Sequence, residues 1–229
     1  MMHKTVVIIG ASKGIGAELI QSFASIEGFR VIGFARNMQS QREKWGSNQN
    51  VQCIDIDLAS ENFKSHISEV LKNEKIDFLI NNAGLLVNKP FMELTSSDII
   101  DSYTVNVLSV FSSIQALLPL MTDQGHIVNI SSMGGFQGTM KFSGLAAYSS
   151  SKAALVNLTE MLAEEFKHTQ LKFNCLCLGA VQTEMLQAAF PGYEAPVKPN
   201  EMAEYISEFT RNAWRFMNGK IIPVSLSTP

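Results

Sequence analysis

The chain is poor in cysteine, in charge and in long apolar runs. Its 229 residues include three cysteines, Cys53, Cys175 and Cys177, with no C-x-x-C among them. They make no framework of paired thiols, and a reducing, cytoplasmic setting is expected. His3, His66, His126 and His168 are scattered without ligand spacing, so no metal is expected. Charged residues make up 17%, and 18 Lys and Arg against 21 Asp and Glu leave a formal charge of -3. No global basic field arises from that balance, which argues against nonspecific nucleic-acid binding. Purely apolar runs such as Val6 to Ile9 fall far short of the ~20 residues of a membrane span. The first of them breaks at Gly10, too early for a signal peptide. Low-complexity linkers and fixed-period repeats are missing too. With 46% hydrophobic residues, what is left is a folded domain with a sizeable core.

Short β-branched runs alternate with helical patterns along almost the whole length. Residues 5–9, 30–34, 51–56, 76–80, 126–130, 172–178 and 220–224 read as strands. Their near-continuous apolar character predicts burial on both faces, as a parallel sheet covered by helices requires. Between them, Tyr103, Val107, Val110, Ile114, Leu117 and Met121 fall at spacings of 4, 3, 4, 3 and 4, a helical stripe. Leu155, Leu158, Leu162 and Phe166 make a second. Strand and helix in repeated alternation predict a doubly wound α/β architecture with right-handed crossovers. The expectation is one domain over residues 1–229, with about seven parallel strands and helices on both faces. The stretch 187–200, holding Pro191, Gly192, Pro196 and Pro199, reads as a loop over the sheet's edge.

Gly10-Ala11-Ser12-Lys13-Gly14-Ile15-Gly16 follows the first strand and opens the first helix. Glycines there let the backbone approach a pyrophosphate, while the helix N-terminus offers free N–H donors. A plain tight turn is the alternative reading. The spacing is G-x-x-x-G-x-G and no G-K-S/T follows, so a P-loop is disfavoured. An NAD site wants a carboxylate near the end of the second strand. Here the sequence VIGFARNM, residues 31–38, has none, and Ala35 and Arg36 occupy the place. A guanidinium can grip a 2′-phosphate through paired hydrogen bonds, and Lys13 adds a second charge nearby. NADP(H) is therefore the expected cofactor, with ordinary solvated charges as the competing account of Arg36 and Lys13.

Asn81-Asn82-Ala83-Gly84 closes the fourth strand, Ser131-Ser132 closes the fifth, and Tyr148-x-x-x-Lys152 opens a helix. Ligand crevices of open α/β sheets lie beyond the carboxyl ends of the strands, so all three gather at the edge that holds the glycine turn. Tyr148 and Lys152, four residues apart, share a helix face. An ammonium about 4 Å away at an effective dielectric of ~20 favours phenolate by ~4 kcal/mol, or ~3 pKa units, less after screening. The expectation is a phenol lowered into the range of general acid/base work, with Ser132 holding a carbonyl oxygen. Cys175 and Cys177 alternate on a strand and read as small buried hydrophobes.

GASKGIG, NNAG, IVNISS and YSSSK, in this order and at these intervals, resemble the short-chain dehydrogenase/reductase family, from about Val6 to Val224. The resemblance implies a Rossmann-like domain and a catalytic tetrad. In it Asn106, within TVNVLSVF, would help hold a water in a proton relay. Ser132 would orient the substrate carbonyl, and Tyr148 would be the acid/base. Lys152 would bind the nicotinamide ribose and tune Tyr148. Cofactor contacts would come from Gly10, Ser12, Lys13, Gly14, Ile15 and Gly16, from Arg36, and from Asn82, Ala83 and Gly84. Asp57 and Leu58 match an adenine-contacting pair, with Asp55 as a rival alignment. Gly179, Val181 and Thr183 would lie near the carboxamide, although Leu178-Gly179 stands where the family usually has Pro-Gly. The segment from Met133 to Ala147 is long for the family and holds Phe136, Met140, Phe142 and Leu145. Substrate contacts are expected from Ser132, Met133, Phe142 and Met185, under a short cap at about 184–200 that also carries Leu186 and Phe190.

These expectations converge on an NADPH-dependent reductase turning a ketone or aldehyde into an alcohol, reversibly. A 3-oxoacyl-type reductase of the same family and a non-catalytic NADP(H)-sensing protein are the alternatives. A small carbonyl or alcohol is the expected partner, and neither nucleic acid nor membrane is. Relatives use the Tyr103–Met121 stripe and the helix from Tyr148 to build dimers and tetramers, so a homodimer or homotetramer is expected. Burial within one monomer accounts for one side of each helix equally well.

Overall fold

Seven runs become seven parallel strands, of which the five inner ones bury side chains on both faces while the two edge strands are only partly covered. A computed structural model describes residues 3–226; the expected domain's end residues, 1–2 and 227–229, lie outside the described residues. The chain runs β1 Lys4–Ile9, α1 Gly14–Ala24, β2 Phe29–Ala35, α2 Gln39–Trp45, β3 Val51–Asp55, α3 Phe63–Leu71 and β4 Ile76–Asn81. It continues through α4 Ser96–Tyr103, α5 Ser109–Leu117, β5 Met121–Ser132, α6 Ala146–Glu165 and β6 Lys172–Leu178. It closes with α7 Glu184–Ala189, α8 Pro199–Asn212 and β7 Lys220–Val224. Strand order is β3-β2-β1-β4-β5-β6-β7, a Rossmann-like sheet. The order reverses between β1 and β4, which opens a crevice at their carboxyl ends.

Alternation along β1 shows how the two layers form. Val6 and Ile8 join a core with Leu19 and Phe23 of α1 and Met202 and Ile206 of α8. Val7 and Ile9 point the other way, into a core with Ile67 of α3, Val110 and Leu117 of α5, and Leu155 of α6. Each such fully buried aliphatic side chain contributes roughly 1.5–3 kcal/mol.

The helical stripe divides. Val107, Val110, Ile114 and Leu117 are buried, whereas Met121 is the first residue of β5 and pairs with Ile76. Pro119 sits in the short 3₁₀ turn 118–120, where it cannot continue the helix. A π-turn at Thr104–Leu108 joins α4 to α5, so helical structure runs from Ser96 to Leu120. That run is long and apolar enough, by length and composition, to cross a membrane, which no purely apolar stretch foretold. Its stripe is committed to the core, and its opposite face exposes Ile100, Leu108 and Phe111 at 62%, 56% and 42%. The stretch read as a loop, 187–200, is irregular only over 190–198; α7 and α8 claim its ends, and Val197 bridges to Val181.

His126 is a buried polar member of β5. Its Nδ1 faces the Thr210 carbonyl at 2.9 Å and its Nε2 faces the Asn174 amide nitrogen at 2.9 Å. The Asn174 amide cannot turn over, since its oxygen accepts from the Lys220 N–H and its nitrogen also donates to the Met217 carbonyl. A proton on Nε2 would set donor against donor. Desolvation holds His126 down to about 4 from an ordinary 6.5, against the opposing pull of the Thr210 carbonyl. The unfolded chain therefore binds a proton that the fold refuses between those values. Stability from this site is complete above pH 6.5 and falls as pH drops towards 4, by about 3 kcal/mol in all. His126→Gln removes the titration. Between pH 7.5 and pH 4.5, urea unfolding should show the wild type losing about 2 kcal/mol more than the variant; parallel pH curves would refute the assignment.

Candidate active site

A ladder of buried amides and hydroxyls fixes the carboxyl ends of β4 and β5. Asn81 Nδ2 donates to Asn129 Oδ1 at 2.9 Å, and Ser113 Oγ of α5 donates to Asn81 Oδ1 at 2.8 Å. Asn129 Nδ2 donates in turn to Thr159 Oγ1 of α6 at 2.9 Å. All four residues are buried, so each unmade bond would leave a desolvated polar group. Above this ladder Ser131 Oγ donates to the Lys152 carbonyl at 2.8 Å, tying the end of β5 to the first turns of α6. Ser132 then ends the strand, and its hydroxyl accepts from the Gly134 N–H at 3.2 Å. From α6 the Tyr148 side chain enters the same cleft, where the Ser132 hydroxyl acts on its phenol.

Lys152 lies inward, 3% exposed, with Nζ donating to the Ile130 carbonyl at 2.9 Å. Burial lowers its pKa to about 8, while the thiols of Cys175 and Cys177 push the other way. Both thiols are fully buried on β6. The ammonium stands 6.0 Å from the centre of the Tyr148 ring. The expected lowering of the phenol by an adjacent ammonium is corrected here. Desolvation dominates and raises the Tyr148 pKa, with only the Ser132 hydrogen bond pulling it down. The reason is that burial of the ring outweighs the ammonium, which lies 6.0 Å from its centre and donates to the Ile130 carbonyl.

Asn106 does not line the cleft either. It is fully buried in the π-turn, where Oδ1 accepts from the Leu85 N–H and Nδ2 donates to the Leu85 carbonyl and to Ser151 Oγ. Its side chain stitches the loop after β4 to α6, which leaves no amide donor for a relay water. Ser151, the third serine of YSSSK, passes the stitch on by donating to the Tyr148 carbonyl at 2.7 Å. Sequence reasoning had no signal for Ser151, because its partner lies 45 residues away.

The cleft over these groups has a volume of about 750 Å³ and follows the strand ends from β2 to β6. Gly10, Ser12, Lys13, Gly14, Ile15, Arg36, Asp57, Leu58, Asn82, Ala83, Gly84, Gly179, Val181 and Thr183 all line it. Gly16 does not: a Cβ there would stand 1.9 Å from the Gly10 carbonyl oxygen, so its part is close approach of helix to strand. The rival carboxylates are separated. Asp55 is engaged elsewhere, by Arg42 at 2.9 Å and the Met38 N–H at 2.7 Å, while Asp57 faces the cleft.

The residues present suit a dinucleotide. At the start of α1, Lys13 is extended, caps no N–H with its side chain, and no acid occupies the first turn. Those N–H groups and the positive end of the helix face the cleft at Gly14 and Ile15. Arg36 is exposed at the rim and, among the described residues, forms no ion pair. Beyond Ser132 and Tyr148 the walls turn apolar with Met133, Phe142, Leu145, Met185 and Phe190. Leu85, Leu86, Asp101, Thr104 and Val105 complete them, none foreseen from sequence. Leu85 and Leu86 directly follow NNAG, and that adjacency was a usable signal.

Comparison with known proteins agrees with this geometry. A family model described as short chain dehydrogenase matches residues 4–194. An uncharacterized oxidoreductase of Staphylococcus saprophyticus is 29% identical over 213 residues, 89% of each chain. An acetoacetyl-CoA reductase of an Acinetobacter species is 29% identical over 196 residues, covering 81% of this chain and 77% of its own. Among solved structures, the RhlG/NADP active-site complex of Pseudomonas aeruginosa superposes with a TM-score of 0.84 at 28% identity, over 97% of this chain and 94% of that one. Motif order, strand order and the family match leave one assignment: this chain belongs to the short-chain dehydrogenase family and is an oxidoreductase.

Proposed function

We propose that this oxidoreductase reduces a ketone or aldehyde to an alcohol, reversibly, with NADPH as cofactor and Tyr148 as the acid/base. The observation that carries the reading is the set of groups gathered in one cleft, the Ser132 and Tyr148 hydroxyls with the buried Lys152 ammonium 6.0 Å from the Tyr148 ring centre. Two hydroxyls in one cleft can meet one carbonyl oxygen. Ser132 polarises it, and Tyr148 gives it a proton as negative charge develops. A phenol raised above its ordinary value stays protonated at neutral pH, which suits the donor's part in reduction. Lys152 carries its charge below about pH 8 and then opposes the cost of a nascent phenolate. Held along Gly14, Ile15 and Arg36, NADPH would supply the hydride for the carbonyl carbon. A purely sensing protein has no use for a serine, a phenol and a lysine brought together beside the cofactor groove.

Preference for NADP(H) rests on Arg36, free at the rim, in a strand end without a carboxylate. A relative solved with NADP points the same way. A homo-oligomer is proposed from the apolar side chains that the monomer leaves exposed on α4 and α5.

Tyr148→Phe should cut turnover of a ketone panel by about 10²–10⁴-fold, while NADPH still binds in a fluorescence titration; undiminished turnover would remove Tyr148 from the reaction. In the wild type, kcat/KM for reduction should be flat through neutral pH and decline above about 8, as Lys152 loses its charge. Lys152→Arg should carry that decline to higher pH. For Arg36→Asp the expectation is roughly 10- to 100-fold weaker NADPH, with NADH little changed; equal losses for both cofactors would count against the 2′-phosphate contact. Light scattering at micromolar concentration should give a dimer or tetramer, shifted towards monomer by Leu108→Lys with Phe111→Lys. A wild type that is only monomeric ends the oligomer proposal.

A further inference from the structure

The substrate end of the cleft is roofed by three segments far apart in sequence. Phe142, in the long stretch before α6, meets Phe190, just past α7, edge to face with ring centres 6.3 Å apart at 73°. The loop after β4 holds both segments. Asn88 Nδ2 donates to the Ala189 carbonyl at 2.7 Å, and the Lys89 N–H donates to the Gly144 carbonyl at 3.0 Å. Gly144 has φ +84°, and a Cβ there would stand 2.1 Å from Asn88 Oδ1, so only glycine fits beneath that stitch.

The charges on this end are equally specific. Of the cleft's ionisable groups, Lys13, Arg36 and Asp57 lie at the glycine-turn end, Glu184 stands beside Gly14, and Lys152 is buried under Tyr148. Among the described residues, that leaves Asp101 as the one carboxylate facing the apolar walls. Two ammoniums on the segments of the roof are engaged: Lys89 pairs with Asp98 at 2.7 Å, and Lys141 donates to the Phe136 carbonyl and the Thr139 hydroxyl. A phosphate-bearing carrier entering under the roof would meet the like charge of Asp101, and the roof's lysines are already engaged.

Resting on the reductase reading, we infer that the substrate is an uncharged, largely apolar small carbonyl compound. It is held whole beneath the roof, and Phe142 and Phe190 set its permitted bulk. It does not arrive on a phosphate-bearing thioester carrier, although such a substrate is named for one relative.

Ethyl acetoacetate and acetoacetyl-CoA present the same reacting ketone with and without the carrier. The wild type should reduce the ester with kcat/KM at least about tenfold above the thioester. Ethyl benzoylacetate, with a phenyl in place of the methyl, should be poor for the wild type. Phe142→Ala and Phe190→Ala should raise the benzoyl-to-acetyl ratio about tenfold or more, with NADPH affinity and thermal melting close to wild type. A thioester reduced as efficiently as the ester, or an unmoved ratio in well-folded variants, overturns this inference and leaves the reductase reading intact. Failure to reduce any of the three compounds, or any ketone of a wider panel, overturns both.

Discussion

An ammonium held out of water governs this site. Removing such a charge from solvent costs several kcal/mol even after relaxation, and a single backbone carbonyl, Ile130, is its hydrogen-bond partner here. The chain answers that cost by rigidity. Ser131 grips the lysine's own carbonyl, and the ladder from Ser113 through Asn81 and Asn129 to Thr159 locks both flanking helices to the sheet. With the helix so fixed, Tyr148 is held in the same cleft as Ser132. Stability and reactivity are coupled in this arrangement: the same desolvation that makes Lys152 easier to deprotonate makes Tyr148 harder to ionise.

What sequence could and could not foretell follows from where each determinant lies. Strands buried on both faces advertise themselves as apolar runs, whatever they pair with, and the two partly covered edge strands were legible from their β-branched residues. Tyr148 and Lys152 were legible as neighbours because helix geometry alone fixes an i, i+4 pair. The sign of the phenol's shift was not. It depends on how much water reaches the ring and on where the ammonium points, and Ile130, 22 residues from Lys152, decides the second. Asp55 and Asp57 were indistinguishable on paper, since only the fold brings Arg42 to one of them. The roof shows the same limit, as Asn88 and Ala189 are separated by 101 residues with no local pattern linking them. Met121 misled by continuing a helical spacing that Pro119 had already ended.

The stripe on α4 and α5 carries a similar lesson about surfaces. Regular spacing identified which residues are apolar together, but the monomer core consumes that face. Ile99, Ile100, Leu108 and Phe111 fit no part of the stripe and are left in water. Periodicity finds the buried side of a helix; an interface, where one exists, is built from the residues that break the period.

Opposite shifts of the two catalytic candidates also bear on direction. Below about pH 8 the site holds a neutral phenol above a charged amine, a pair ready to give up one proton and to stabilise the phenolate left behind. Oxidation of an alcohol asks the reverse, that Tyr148 be ionised before the reaction begins, and burial opposes that state at neutral pH. Substrate and cofactor would exclude still more water and strengthen both effects. In the proposed reaction, desolvation thus holds Tyr148 in the protonated form from which reduction starts.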